Sequence, residues 1–388
     1  MRITNVRVAE APIASQISNA VIDFSKMNVT VVEVTTDRQV DGEAVVGYGF
    51  HSNGRYAQKG LLEARLLPRL LDADPEKLLD ADGIVDPVAC RDTVMQNEKP
   101  GGHGDRAVAV GALDMALWDL ASKVAQRPAF RHMHHRFGLA GAPAESAWVY
   151  AAGGYYHPGK GVEALQDEMR GYLDMGYCDV KMKIGGATLA EDLRRIEAVL
   201  GILPNGVRLA VDANGRFDVR TALDYAAALS DYELLWYEEP CPPLDYLGHA
   251  VVADHYPGIV ATGENLFSVD DVRNLVRYAG LRTDTDVLQM DPTLSYGIPE
   301  FAEMLQVLER AGWSSGRCCP HGGHQLNLAA TAGFHLGGCE SYPGVFEPFG
   351  GFADSTPIED GRVRLPEVPG LGVEDKPALH DLLRRTFA

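Results

Sequence analysis

Three acidic residues recur at equal intervals in the second half of the chain: Asp212 in "LAVDANG", Glu238 in "LLWYEEP" and Glu264 in "IVATGEN", each 26 residues after the one before. Each closes a short apolar run of the kind that forms a buried strand. The interval is therefore one strand-plus-helix unit, and the three carboxylates are expected at one height on one rim. Crowded carboxylates raise one another's pKa, and a cation between them removes the conflict. A set of oxygen ligands without His or Cys suits Mg²⁺, with Mn²⁺ as the alternative. Asn214, Glu239 and Asn265 stand beside these acids and are expected to support them.

The stretch "CDVKMKIGG" carries Lys181 and Lys183 two positions apart. In a strand they share a face, so two ammonium groups point into one interior. Beside each other and a metal ion, their pKa values are expected to move down toward neutrality, as a general base requires. Lys183, nearer the strand's C-terminal end, is the expected base. Lys181, one pleat deeper, is expected to tune it and to help hold a substrate carboxylate. "LQMDP" and "CCPHGG" place Asp291 and His321 at the ends of two further strands. An Asp on one ring nitrogen fixes the His tautomer and leaves the other nitrogen to exchange protons. A lysine base, an oxygen-ligated cation and a His–Asp dyad facing it are suited to removing a proton α to a carboxylate, because positive charge stabilises the enediolate that forms.

The elements that must position these groups change character near residue 145. Before it come strand-like stretches ("NVTVVEVTT", "AVVGYGF") and then helical ones ("GLLEARLLPRLL", "AVGALDMALWDLASKVAQ"), an α+β pattern. After it, short apolar strands alternate with amphipathic helices about eight times, from "SAWVYAAG" through "RCCPHGG" to "GVFEPFG" as the eighth strand. That alternation predicts a closed parallel TIM-like barrel, and the GxGxxG of an open dinucleotide-binding sheet is missing. The expected division is an α+β capping domain at 1–144, a barrel with the active site at 145–354, and a tail of loop and short helix at 355–388 that completes the cap.

The bulk properties agree with a globular enzyme. The chain has 388 residues, 46% of them hydrophobic, and a net charge of −19, which disfavours nucleic acid and anionic membrane surfaces as partners. The N-terminus "MRITNVRVAEAPI" alternates like a strand and lacks a signal-peptide core, so a cytoplasmic location is expected. The six cysteines form no CxxC pair and are expected to be free thiols.

"KMKIGG", "VDANG", "WYEEP", "TGEN", "MDP", "PHGG" and "GALDMALWDLASK" together resemble the ordered motifs of the enolase superfamily, mandelate racemase subgroup, over nearly the whole chain. The resemblance implies a modified (β/α)7β barrel under an α+β cap, Mg²⁺ on Asp212, Glu238 and Glu264, acid–base chemistry by Lys183 and the Asp291–His321 dyad, and a homo-oligomer. "SNAVIDFSKM", "GYGFHSNGRY", "NEKPGGHG", "AAGGYY" and "CCPHGGHQLN" resemble the branch that dehydrates short dihydroxy diacids. By that likeness Asn19, Asn53, Lys99 and one of Tyr155 and Tyr156, taken as Tyr156, touch the substrate with Lys181 and His321, and Lys99 covers a distal carboxylate. His51, Arg55 and His103 receive no role. The implied reaction is a lyase's: α-proton abstraction, then loss of the β-hydroxyl. Racemisation or epimerisation by the same Lys and His is the first alternative, and a non-catalytic sugar-acid binder the second.

Overall fold

The computed structural model of the chain describes residues 1–13, 15–40 and 42–388. The alternating N-terminal stretches form an antiparallel sheet of β1 (Ile3–Pro12), β2 (Asn28–Val40) and β3 (Glu43–Phe50), in that order. The helix Asp105–Val124 packs on it, with every residue from Ala107 to Ser122 buried. Gly47 and Gly49 make this approach possible, because a Cβ at either would stand 2.2 Å from the Ala116 carbonyl oxygen or 2.4 Å from that of Ala112. Contact this close is open only to glycine.

The second half closes into the barrel. Its parallel strands are β4 (Ser146–Gly153), β5 (Asp179–Lys183), β6 (Arg208–Asp212), β7 (Tyr237–Glu238), β8 (Val260–Thr262) and β9 (Val287–Leu288). A bridge from Leu288 to Cys318 supplies the seventh position. The eighth is β10 (Cys339–Ser341), which pairs in parallel with β4 and shuts the ring. Helices separate successive strands, and Thr188, Asp218, Asp245 and Ser268 cap four of them through side-chain oxygens. The fold is the modified (β/α)7β barrel with an α+β N-terminal cap.

Two sequence expectations need correction. "GVFEPFG" is not the eighth strand: it follows β10 as a turn, and its Phe346 packs on Phe24, Tyr155 and Tyr342. The tail is more than loop and helix. It forms a hairpin of β11 (Ile358–Glu359) and β12 (Arg362–Arg364), and β12 pairs antiparallel with the start of β4. All six cysteines are free, and five are buried. No helix among the described residues is long and apolar enough to cross a membrane.

Beyond the hairpin, the chain returns to the N-terminal sheet. Asp119, fully buried, accepts hydrogen bonds from Tyr48 N (2.9 Å), Leu371 N (2.9 Å) and Lys123 Nζ (2.6 Å). One carboxylate thus joins β3, the long helix and the tail. Asp119→Ala strands two buried N–H donors and leaves Lys123 paired with Glu374 alone, and is expected to cost about 3 kcal/mol. Urea unfolding measures the loss, and hydrogen exchange should show residues 370–388 opening first.

Candidate active site

Register places the first groups. Lys183 pairs with Asp212 across β5 and β6, and Asp212 with Glu238 across β6 and β7, so the three stand side by side at the strand ends. Glu264 arrives differently. Glu238 pairs with Ala261, and Glu264 lies three residues further on, past Gly263 at φ 121°. It reaches the cluster from a loop. One carboxylate oxygen from each of Asp212, Glu238 and Glu264 lies within 4.8 Å of the others.

The electrostatics of this cluster fit a cation. Burial and the neighbouring Asp212 push the Glu238 carboxyl up to about 8, and the buried Oε2 of Glu264 has no hydrogen-bond partner. Asp212 goes the other way: burial opposes its ionisation, but Lys183 and Lys181 outweigh it and hold the carboxyl low. Asn265 Nδ2 donates to both oxygens of Glu239 at 2.9 and 3.0 Å and to Glu264 at 3.3 Å. Asn214, at φ 48°, donates its backbone N–H to Asp212 over 2.8 Å. These hydrogen bonds hold the carboxylates of Asp212, Glu239 and Glu264 in place.

The lysines are compensated more directly than the sequence suggests. Lys183 Nζ lies 2.5 Å from Asp212 Oδ2, while Lys181 Nζ lies 2.5 Å from Glu238, 2.6 Å from Glu340 and 3.4 Å from Asp212. Burial lowers the pKa of both, but the carboxylates win and hold both lysines charged. The downward shift expected for Lys183 is therefore not what these residues alone produce. A cation on Asp212 would compete for the oxygen that now grips the amine.

Glu340 was not singled out in the sequence. It lies on the three-residue strand β10 and is fully buried. Besides Lys181 it accepts the Gly322 N–H at 3.0 Å, next to His321. A lone acid in "GGCESY" carries no spacing signal; only the closure of the barrel reveals it.

His321 Nδ1 meets Asp291 Oδ2 at 3.0 Å, and its Nε2 lies 3.1 Å from the Tyr342 hydroxyl and 3.6 Å from Glu264. Burial disfavours the imidazolium, but Glu264, Asp291 and Glu340 outweigh it and raise the pKa to about 9. Asp291 is braced in turn. Thr293 donates to it through N (2.8 Å) and Oγ1 (2.9 Å), and Ser52 of the cap meets Thr293 Oγ1 at 2.8 Å and His324 at 2.9 Å.

A cavity of about 560 Å³ opens above these groups, and Lys183, Glu264, His321, Asn19 and Asn53 all line it. Three expected substrate contacts do not. Lys181 is wholly buried beneath the cavity among carboxylates. Tyr156 turns aside to Asp192 (2.8 Å) and the Gly186 N–H (3.0 Å), and Tyr155 takes its place, with Lys183 Nζ 5.0 Å from its ring. Lys99 is exposed and lines no part of the cavity, since three arginines pin the adjacent Glu98 inward. Arg55, given no role beforehand, lines the cavity instead. His51 accepts the Thr30 N–H at 3.0 Å behind the site, and His103 meets Tyr296 at 3.0 Å outside it.

A capped barrel whose strand ends gather three acids, two lysines and a His–Asp pair belongs to a narrow class of proteins. The N-terminal domain of mandelate racemase / muconate lactonizing enzyme matches residues 2–132, and the enolase C-terminal domain-like model matches residues 164–379. The chain belongs to the mandelate racemase / muconate lactonizing enzyme family of the enolase superfamily, and is an enzyme of that family. It is 27% identical to the L-talarate/galactarate dehydratase of Salmonella typhimurium over 94% of this chain and 86% of the relative. A racemase structure from Streptomyces coelicolor with bound magnesium superposes with a TM-score of 0.78 at 26% identity, covering 99% of each chain. An L-talarate dehydratase structure from Polaromonas sp. with Mg and L-glucarate gives 0.76 at 26%, covering 96% of this chain and 94% of the other.

His51, His132, His249 and His324 are held neutral, each lowered to about 4 chiefly by burial. An unfolded histidine titrates near 6.5, so the unfolded chain binds more protons below that pH and each group subtracts stability as pH falls from 6.5 through 4. Removing one should therefore help progressively in acid. Urea midpoints of the parent and His249→Leu at pH 7, 6 and 5 are expected to shift steadily in the variant's favour. A difference that does not change with pH would contradict this.

Proposed function

We propose that the chain is a Mg²⁺-dependent acid-sugar dehydratase, and in particular a D-tartrate dehydratase that forms oxaloacetate and water. The supporting observation is that Lys183, Glu264 and His321 line one cavity. A base and an acid therefore address the same small molecule beside the three carboxylates that would hold the ion. The capping-loop phrases quoted above support the choice of a short diacid, and dehydratases among the relatives support loss of water as the outcome.

Asp212, Glu238 and Glu264 would hold Mg²⁺, which supplies positive charge against the substrate's reacting carboxylate. Lys183, released as the neutral amine once the Asp212 carboxylate that now grips it is taken up by the ion, would take the α-proton of D-tartrate, and Lys181 keeps a fixed positive charge beneath it. His321, as the imidazolium that Asp291 and Glu264 sustain, gives its proton to the β-hydroxyl. The C–O bond breaks and water leaves. The resulting enol ketonises to oxaloacetate. Tyr342, hydrogen-bonded to His321 Nε2, would yield that nitrogen to the substrate hydroxyl.

A racemase reading deserves weight because the same Lys and His line the cavity together and a racemase is among the similar structures. Incubation with Mg²⁺ and a panel of acid sugars separates the two. Dehydration yields a 2-keto acid from D-tartrate, whereas deuterium uptake at the α-carbon with no keto acid selects racemisation. Lys183→Met is expected to lower turnover on the order of 10³-fold. Glu264→Gln is expected to weaken Mg²⁺ binding at least about tenfold, read by calorimetry.

A further inference from the structure

We propose that Arg55 is the residue that selects a diacid, by pairing with the substrate carboxylate distal to the metal site. The assignment rests on the function proposed above only for the identity of the reacting end. Arg55 lines the same cavity as Lys183, Glu264 and His321. Its guanidinium donates to its own Gly54 carbonyl (2.6 Å) and to Asn265 Oδ1, and lies 5.1 Å from the Phe267 ring centroid. A guanidinium carries five N–H donors in a planar fork, and these two contacts leave most of them unused. Among the described residues it forms no ion pair with any carboxylate.

The charges lining the cavity sharpen the point. Lys183 is gripped by Asp212, and His321 is paired with Asp291 and lies beside Glu264. Arg55 is the cation there with no acid of its own. Resting on Phe267 and tied to Asn265, it is held in place before a ligand arrives, and a planar fork matches a carboxylate. From the same loop, Asn53 brings a buried Oδ1 without a hydrogen-bond partner to the cavity. An acceptor beside a cation fits a hydroxyl near a carboxylate. The substrate class is thus a short hydroxy diacid.

The competing role for Arg55 is to steady Asn265, and through it Glu239 and Glu264. Two acids of nearly the same shape separate the roles. Malate carries the second carboxylate, and 2-hydroxybutyrate has a methyl in its place. Calorimetry with saturating Mg²⁺ should find malate bound at least about tenfold more tightly by the parent, with Arg55→Met losing most of that ratio and Arg55→Lys keeping part of it. Arg55→Gln replaces the Met variant if thermal unfolding shows the latter misfolded. Equal weakening of both acids, or a parent without preference, would overturn the assignment. Binding requires no turnover. A protein that prefers malate but forms no keto acid would sink the dehydratase reading alone, and one that forms keto acid without the preference would sink Arg55 alone.

Discussion

Two ammonium groups buried side by side set the terms for this barrel. Lys181 and Lys183 are 0% and 2% exposed, and an uncompensated charge at such depth is prohibitively costly. Four carboxylates surround them: Asp212, Glu238, Glu264 and Glu340. Four carboxylates against two ammonium groups, with a fifth buried acid, Glu239, beside Glu264, leave negative charge in formal excess, while Asp291 and His321 balance each other. The excess is visible in the site, since Glu238 is driven up to about 8 while Asp212 beside it is held low. The divalent cation proposed here would offset much of that excess, and would do so on the acid that restrains Lys183. Stability and reactivity are thereby linked, because the pair that makes the lysine tolerable also keeps it protonated.

The barrel meets this demand through register. In parallel strands, residues directly across from one another share a face, so Lys183, Asp212 and Glu238 become neighbours because β5, β6 and β7 pair without slippage. Lys181 sits opposite Ala210, one pleat down and on the same face, and Glu340 reaches it from β10, two strands round the ring on the β4 side. A shift of one residue in any of these strands would turn an acid into the helical layer and leave a lysine bare. The electrostatics therefore select the register as strongly as the apolar packing does.

This logic explains which parts were legible in the sequence. The three acids and both lysines announce themselves because strand period and unit length are local properties of the chain. Glu340 does not, because its strand is three residues long and its ion-pair partner Lys181 lies 159 positions away in sequence. The aromatic "GVFEPFG" looks more like a strand than "CES", yet its Phe346 is spent packing on Phe24 and Tyr155, which line the cavity, and its Phe349 on Phe50. The loop residues are harder still. Tyr155 and Tyr156 differ only in which one Asp192 captures, and Lys99 depends on three arginines gathered round its neighbour. Those choices are made by tertiary contacts that no window of sequence contains.

The cap need not be a loose lid. β3 lies backbone to backbone on the helix Asp105–Val124 through Gly47 and Gly49, and the chain leaves that strand directly into His51–Arg55. The same helix is seated on the barrel. A Cβ at Gly111 would stand 2.2 Å from the Thr293 carbonyl oxygen, and Asp114 accepts the Ile298 N–H at 2.7 Å. Thr293 in turn holds Asp291, and Ser52 meets it from the cap side. The loop that presents Asn53 and Arg55 to the cavity and the loop that orients the His321 ring thus share one rigid support. Positions proposed here to decide which acid binds are tied through these contacts to the group that would protonate it. A substitution that loosened the glycine contacts of β3 would therefore disturb selectivity and proton delivery together, although it touches neither the substrate nor the imidazole.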